Sequence, residues 1–164
     1  MRKLFIIRHA KSSWDHPELS DRLRPLKKRG VKDAELMGHL LRKASVYPDA
    51  VLSSPAVRAL ATAEIICRHT KFAFHKVQVI DDLYFKGMEA IMQAVHKLNP
   101  ALQTVFVFGH NPDLTELVNC FSDTPINNLP TCGIVGIDFN IIRWEEADFS
   151  NGRIVYYEYP AKHR

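Results

Sequence analysis

The chain has 164 residues, 46% of them hydrophobic and 24% charged, a globular balance in a length that supports one domain, 1–164, with a full core. No apolar stretch is long enough to span a bilayer and the run after Arg2 and Lys3 is too short for a secretory signal, so a cytoplasmic protein without membrane contact is expected. The formal net charge of +4 suits a phosphate-bearing or acidic partner without demanding one.

Leu4-Phe5-Ile6-Ile7, bounded by charge, predicts a buried strand at residues 3–8 that ends at Arg8-His9-Ala10. A polar loop follows from His16 to Pro25. Val31, Ala34, Met37, Leu41 and Ala44 then recur at helical spacing, which predicts a helix over 27–43. Ala50-Val51-Leu52-Ser53 reads as a second strand. Ser54 and Pro55 read as the N-cap and first position of a helix that uses Ala56, Ala59, Leu60, Ala63 and Ile66 on one face. Val77 to Ile80 alternates as a third strand, and Met88, Ile91, Met92, Val95 and Leu98 mark a third helix with Pro100 beyond its end. Thr104 to Phe108 is the strongest strand signal. Asn111-Pro112 repeats the cap-plus-proline pattern before a fourth helix carrying Leu114, Leu117, Val118 and Phe121. The remainder is β-rich, with strands at Gly133–Phe139 and Arg153–Tyr159. Alternating strands and helices predict an α/β fold with a mostly parallel sheet covered on both faces and antiparallel edge strands.

Three strand ends carry matching chemistry: Arg8-His9; Ser53-Ser54-Pro55, one helical turn before Arg58; and Gly109-His110-Asn111-Pro112. Each residue alone is compatible with a surface, core or capping role. If the strands are parallel neighbours, two arginines, two histidines and two helix N-termini meet at one rim, a pocket for a tetrahedral dianion. A neutral imidazole there can act as a nucleophile, and nearby arginines disfavour its protonation. Such a nucleophile needs its other ring nitrogen oriented, as by a backbone carbonyl, and a proton source for the leaving group.

Arg8-His9-Ala10-Lys11-Ser12, Ser54-Pro55-Ala56-Val57-Arg58-Ala59 with Thr62-Ala63, and Gly109-His110-Asn111-Pro112 together resemble the histidine phosphatase superfamily, and within it the SixA-type phosphohistidine phosphatases. Arg24-Pro25-Leu26 with Gly30, Asp82-Leu83-Tyr84 and Leu129-Pro130-Thr131 are supporting matches. The resemblance covers nearly the whole chain. It implies a three-layer α/β/α sandwich of the phosphoglycerate mutase-like kind, with His9 as the phosphorylated nucleophile and Arg8, Arg58 and His110 binding the phosphoryl group. Ser12 is a further phosphoryl contact by the same resemblance, or else a loop cap.

Two positions depart from the family pattern. Ala10 stands where glycine is commonest, and no carboxylate matches the mutase-type glutamate. Among Asp81, Asp82 and Glu89, Asp82 is the candidate proton donor; water or a substrate imidazole that arrives protonated are the alternatives.

Members of that family that enclose small sugar phosphates generally carry a long insertion over the site. Here only a short stretch separates the Arg58 helix from the third strand, so the resemblance implies an open pocket able to admit a side chain standing on a protein surface. The expected reaction is therefore hydrolysis of phosphohistidine on a protein. A broad phosphatase for small phosphoesters such as sugar phosphates is the second reading, and a non-catalytic phosphate-binding domain the third. Arg22, Arg24, Lys27, Lys28, Arg29 and Lys32 read as a solvated basic face that attracts an acidic partner only if it flanks the pocket; no nucleic-acid-binding pattern accompanies it. Cys67, Cys120 and Cys132 read as buried structural thiols, and the remaining histidines lack metal-ligand spacing, so no metal or other cofactor is assigned.

Overall fold

A computed structural model describes all residues, 1–164. In chain order it contains β1 (Arg2–Arg8), α1 (Lys28–Lys43), β2 (Ala50–Ser53), α2 (Val57–His69), β3 (Gln78–Val79), α3 (Met88–His96), β4 (Thr104–Gly109), α4 (Asp113–Asn119), β5 (Ile134–Phe139) and β6 (Gly152–Glu158). One six-stranded sheet runs β3-β2-β4-β1-β5-β6. The first four strands are mutually parallel, whereas β5 lies antiparallel to β1 and β6 antiparallel to β5. The expected antiparallel edge is thus β6, with β5 one strand inside it.

The period-2 alternation of β1 explains the layers. Phe5 and Ile7 pack with Ala34, Met37 and Leu41 of α1 and Ala63 and Ile66 of α2 on one face. Leu4 and Ile6 pack with Ile91 and Val95 of α3 and Leu114 and Leu117 of α4 on the other. The result is the expected three-layer α/β/α sandwich. No helix is long and apolar enough to cross a membrane.

Three local expectations need correction. Helix α2 starts at Val57, after the cap position Ala56, so Ser54 is not its N-cap. The Ser54 hydroxyl instead accepts the Ala56 N–H at 3.2 Å, a turn closed by a side chain. Cys67 and Cys132 are buried, but Cys120 is exposed, its thiol 3.7 Å from the Met88 sulfur. The shift seen at α2 applies also at α4, whose cap position is Pro112: Asn111 lies one residue before it, and from there its Oδ1 accepts the Thr115 N–H at 3.2 Å and the Thr115 hydroxyl at 2.9 Å.

The strand order decides where the chemistry collects. β2, β4 and β1 are adjacent, with Ser53 opposite Phe108 and Arg8 opposite Gly109. The ladder continues past the strands, as His9 N–H donates to Gly109 O at 3.2 Å and Ser54 N–H to Phe108 O at 3.0 Å. The three strand ends therefore sit side by side on the carboxyl rim of the sheet, the usual ligand position in open α/β folds.

Candidate active site

At this rim a cleft of about 330 Å³ is lined by Arg8, His9, Ser12, Arg58 and His110. His9 is only 7% exposed. Its Nδ1 stands 2.7 Å from Ala10 O, so Nδ1–H donates to that carbonyl and Nε2 keeps its lone pair. The backbone carrying the carbonyl is itself fixed, because Ala10 N–H donates to Thr62 Oγ1 at 2.9 Å. Alanine at this position is fully buried. The imidazole has its pKa lowered to about 4, chiefly by burial, which prevails over the opposing bond to Ala10, and the charges of Arg58, Arg8 and Arg24 lower it further. It is neutral at pH 7, as expected, but desolvation rather than the arginines is the main cause.

His110 is 1% exposed, its ring centroid 5.1 Å from that of His9. Its Nε2 lies 2.7 Å from Ser54 Oγ. Ser54 Oγ accepts the Ala56 N–H and meets no acceptor for its own proton other than His110 Nε2, so it donates to that nitrogen. That assigns the His110 proton to Nδ1, a buried nitrogen with no partner in the protein and therefore a donor for an acceptor oxygen. Burial first, then His9 and Arg58, lower its pKa to about 3. His110 is thus a neutral donor and not a cation.

Positive charge comes from three guanidinium groups. Arg8 donates to Leu129 O at 2.9 Å. Burial, then the charge of Arg58, lower its pKa, but a guanidinium stays charged at any physiological pH. Arg58, 2% exposed, donates Nη1 to Asp21 O at 2.6 Å and Nη2 to Asp21 Oδ2 at 2.9 Å. Nε of Arg8 and Nε of Arg58 have no partner.

The third is Arg24, read from sequence as part of a solvated basic face. It is 7% exposed, lines the cleft, and donates to Ser12 Oγ at 2.7 Å, Ser13 O at 3.2 Å and Asp21 Oδ1 at 3.2 Å. Ser12 is thereby placed at the cleft with its hydroxyl oxygen accepting from Arg24. Lys27 also lines the cleft.

The proton donor expected at Asp82 is not there. Asp82 lines a separate cleft of about 380 Å³ between β2 and α3, which carries no arginine or histidine. Asp81 is exposed, with its carboxylate 3.6 Å from Arg22, and neither it nor Glu89 lines the His9 cleft. The carboxylate that does is Asp21, from the loop before α1. It accepts from Arg58, from Arg24 and from the Tyr84 hydroxyl, the last at 2.6 Å. Its partial burial raises the pKa, but the bonds from Tyr84, Arg58 and Arg24 prevail and hold it at about 2. Asp21 is therefore ionised throughout the physiological range.

Asp21 carries no local motif that marks it, and only the Arg24-Pro25-Leu26 match pointed near it. With both histidines neutral, three guanidinium groups and one carboxylate leave the inner cleft positive, complementary to a phosphoryl dianion. No cluster of three or more His, Cys, Asp or Glu side chains is placed to hold a metal ion.

A family model described as histidine phosphatase superfamily (branch 1) matches residues 4–106. An uncharacterized chloroplastic protein of Arabidopsis thaliana is 31% identical over 154 residues, which cover 89% of this chain and 70% of the relative. Among solved structures, the protein histidine phosphatase SixA complexed with tungstate superposes with a TM-score of 0.84 at 25% identity over 99% of both chains. A mycobacterial glucosyl-3-phosphoglycerate phosphatase shares the fold, with a TM-score of 0.68 at 15% identity over 97% of this chain and 98% of its own.

Proposed function

The chain belongs to the histidine phosphatase superfamily, and from that premise we propose that it hydrolyses phosphohistidine on a protein through a covalent phosphohistidine intermediate on His9. The observation that carries this reading is the neutral His9 ring, its Nδ1–H tied to Ala10 O and its Nε2 left free beside Arg8, Arg58 and His110.

In the first step the Nε2 lone pair of His9 attacks phosphorus in line. A P–N bond forms to His9, and the P–N bond to the substrate imidazole breaks with its electron pair on the departing nitrogen. The substrate ring, protonated on its other nitrogen, leaves as neutral imidazole. Phosphorylated His9 carries a positive ring whose Nδ1–H still donates to Ala10 O. In the second step water attacks phosphorus, the P–N bond to His9 breaks, and the ring returns to its neutral form. The water protons pass to phosphate and solvent. Arg8, Arg58 and the His110 Nδ1–H bear the equatorial oxygens in both steps.

Asp21 supports the choice of leaving group. An alkoxide needs a proton as it departs. The carboxylate that lines the cleft is ionised and bound to two arginines, so it has none to give. A protonated imidazole brings its own. The relative complexed with tungstate, a tetrahedral oxyanion, is a protein histidine phosphatase, which agrees with this substrate class.

Rapid quenching of the enzyme with a labelled phosphohistidine peptide tests the route. Acid-labile, alkali-stable label is expected on His9, and His9→Ala is expected to lose about 10⁴-fold or more in turnover. Turnover without label on His9 overturns the covalent route. A higher kcat/KM for small phosphoesters than for the peptide transfers the assignment to a broad phosphoester phosphatase.

A further inference from the structure

We propose that Trp14 and Phe85 are the walls of an aromatic slot above the phosphoryl site, which takes the planar ring of the phosphorylated side chain and selects ring-bearing substrates over aliphatic ones. The proposal rests on the reading of His9 as the phosphoryl acceptor.

These two are the hydrophobic side chains of an otherwise polar cleft, and both are open to solvent, Trp14 at 76% and Phe85 at 45%. Neither is loosely placed. The Arg24 guanidinium carbon lies 3.6 Å from the centroid of the Trp14 ring and holds one face of the indole. Arg24 is in turn fixed by Ser12, Ser13 and Asp21.

Phe85 adopts φ 58°, a left-handed conformation that is an outlier for a bulky residue. Strain of this kind persists where surrounding structure imposes it, and it clusters at ligand clamps. Here it sets the Phe85 ring against His110, with centroids 4.6 Å apart and planes tilted by 32°. The Phe85 and Tyr84 rings also meet in an edge-to-face contact with centroids 4.8 Å apart, and the Tyr84 hydroxyl donates to Asp21. One carboxylate therefore anchors both walls, Trp14 through Arg24 and Phe85 through Tyr84.

Core packing explains neither ring, since each spends much of its surface on water. A phosphorylated imidazole engages both: it is planar, and when protonated it is a cation that an aromatic face attracts. An aliphatic phosphoester offers neither property.

The test compares kcat/KM for a phosphohistidine peptide with that for phosphoramidate, which has the same P–N bond and no ring. In Trp14→Ala and in Phe85→Leu the peptide-to-phosphoramidate ratio is expected to fall about tenfold, carried by KM for the peptide, a size typical of one lost stacking contact. Trp14→Phe is expected to restore most of it. A ratio within twofold of wild type in both variants, or an equal loss on both substrates, overturns the slot. If the wild-type protein labels His9 and turns over both compounds while the ratio stays put, the slot alone fails. If the wild-type protein turns over neither, the phosphatase reading fails and the slot with it.

Discussion

Gly30→Ala perturbs the catalytic loop from outside the cleft, and its sign separates two opposing effects. Gly30 is the third residue of α1, and a Cβ built there stands 2.2 Å from Lys11 O and 3.0 Å from Lys11 N. Carbon and oxygen in ordinary contact are well over 3 Å apart, so the helix and the Lys11 backbone must separate by about 1 Å. Two bonds resist that motion: Lys11 O accepts the Lys27 N–H at 3.0 Å and Ser13 N–H donates to Pro25 O at 2.8 Å, the pair that makes Ser12 and Leu26 an isolated antiparallel bridge.

Helix propensity alone favours alanine by about 1 kcal/mol. Forcing a methyl group against backbone costs about 1–3 kcal/mol, and losing the Lys27–Lys11 bond costs about 1 kcal/mol more. The balance is a loss of about 2 kcal/mol, which for a chain of this size lowers Tm by about 4–8 °C. Lys11 follows Ala10, whose carbonyl orients His9, so a shift of about 1 Å is expected to lower kcat/KM about 10²-fold. Thermal unfolding and steady-state hydrolysis of a phosphohistidine peptide measure the two. A variant with raised Tm and kcat/KM within threefold of wild type would show that helix propensity decides and that the contact between α1 and the loop has no bearing on the site.

Two further expectations concern protonation. The rings of His9 and His110 are expected to titrate at about 4 and about 3, against an ordinary value of 6.5. Between 6.5 and about 3 the unfolded chain then binds more protons than the folded one, so the unfolding free energy is full above 6.5 and falls as the pH drops through that window, the His9 part down to about 4 and the His110 part down to about 3. Histidine-selective NMR and urea midpoints report both, and a His9 midpoint near 6.5 contradicts the burial argument. At the carboxylates, Asp82→Asn is expected to keep kcat/KM within twofold because Asp82 belongs to the other cleft. Asp21→Asn removes the charge that holds Arg58 and Arg24 and is expected to lose at least about tenfold, the size of one charge-assisted bond. The opposite order of effects would return the carboxylate role to Asp82.

Much of the architecture was legible because it depends on short-range order. The period-2 run Leu4 to Ile7 has to face two layers, and the helical spacing in 31–44 has to present one stripe, whatever the rest of the chain does. Once the strands are parallel, residues at their carboxyl ends share a rim, so Arg8, His9, Arg58 and His110 could be gathered from the sequence. The short helix starts misled, because Ser54 offers the same chemistry to a helix N-terminus and to a histidine. Only the pairing of β2 with β4 puts His110 within its reach.

What the sequence by itself determined was the set of strand ends and the residue types they carry, since those follow from neighbours a few positions apart. The tertiary structure alone decided that Asp21, and not Asp82, enters the cleft, that Arg24 leaves the solvated face to join it, and that Trp14 and Phe85 stand at its mouth. The physical reason is range. Asp21 meets partners 37 and 63 residues away, and His9 is kept neutral mainly by the loss of water around it, a property of the packed whole that no local pattern encodes.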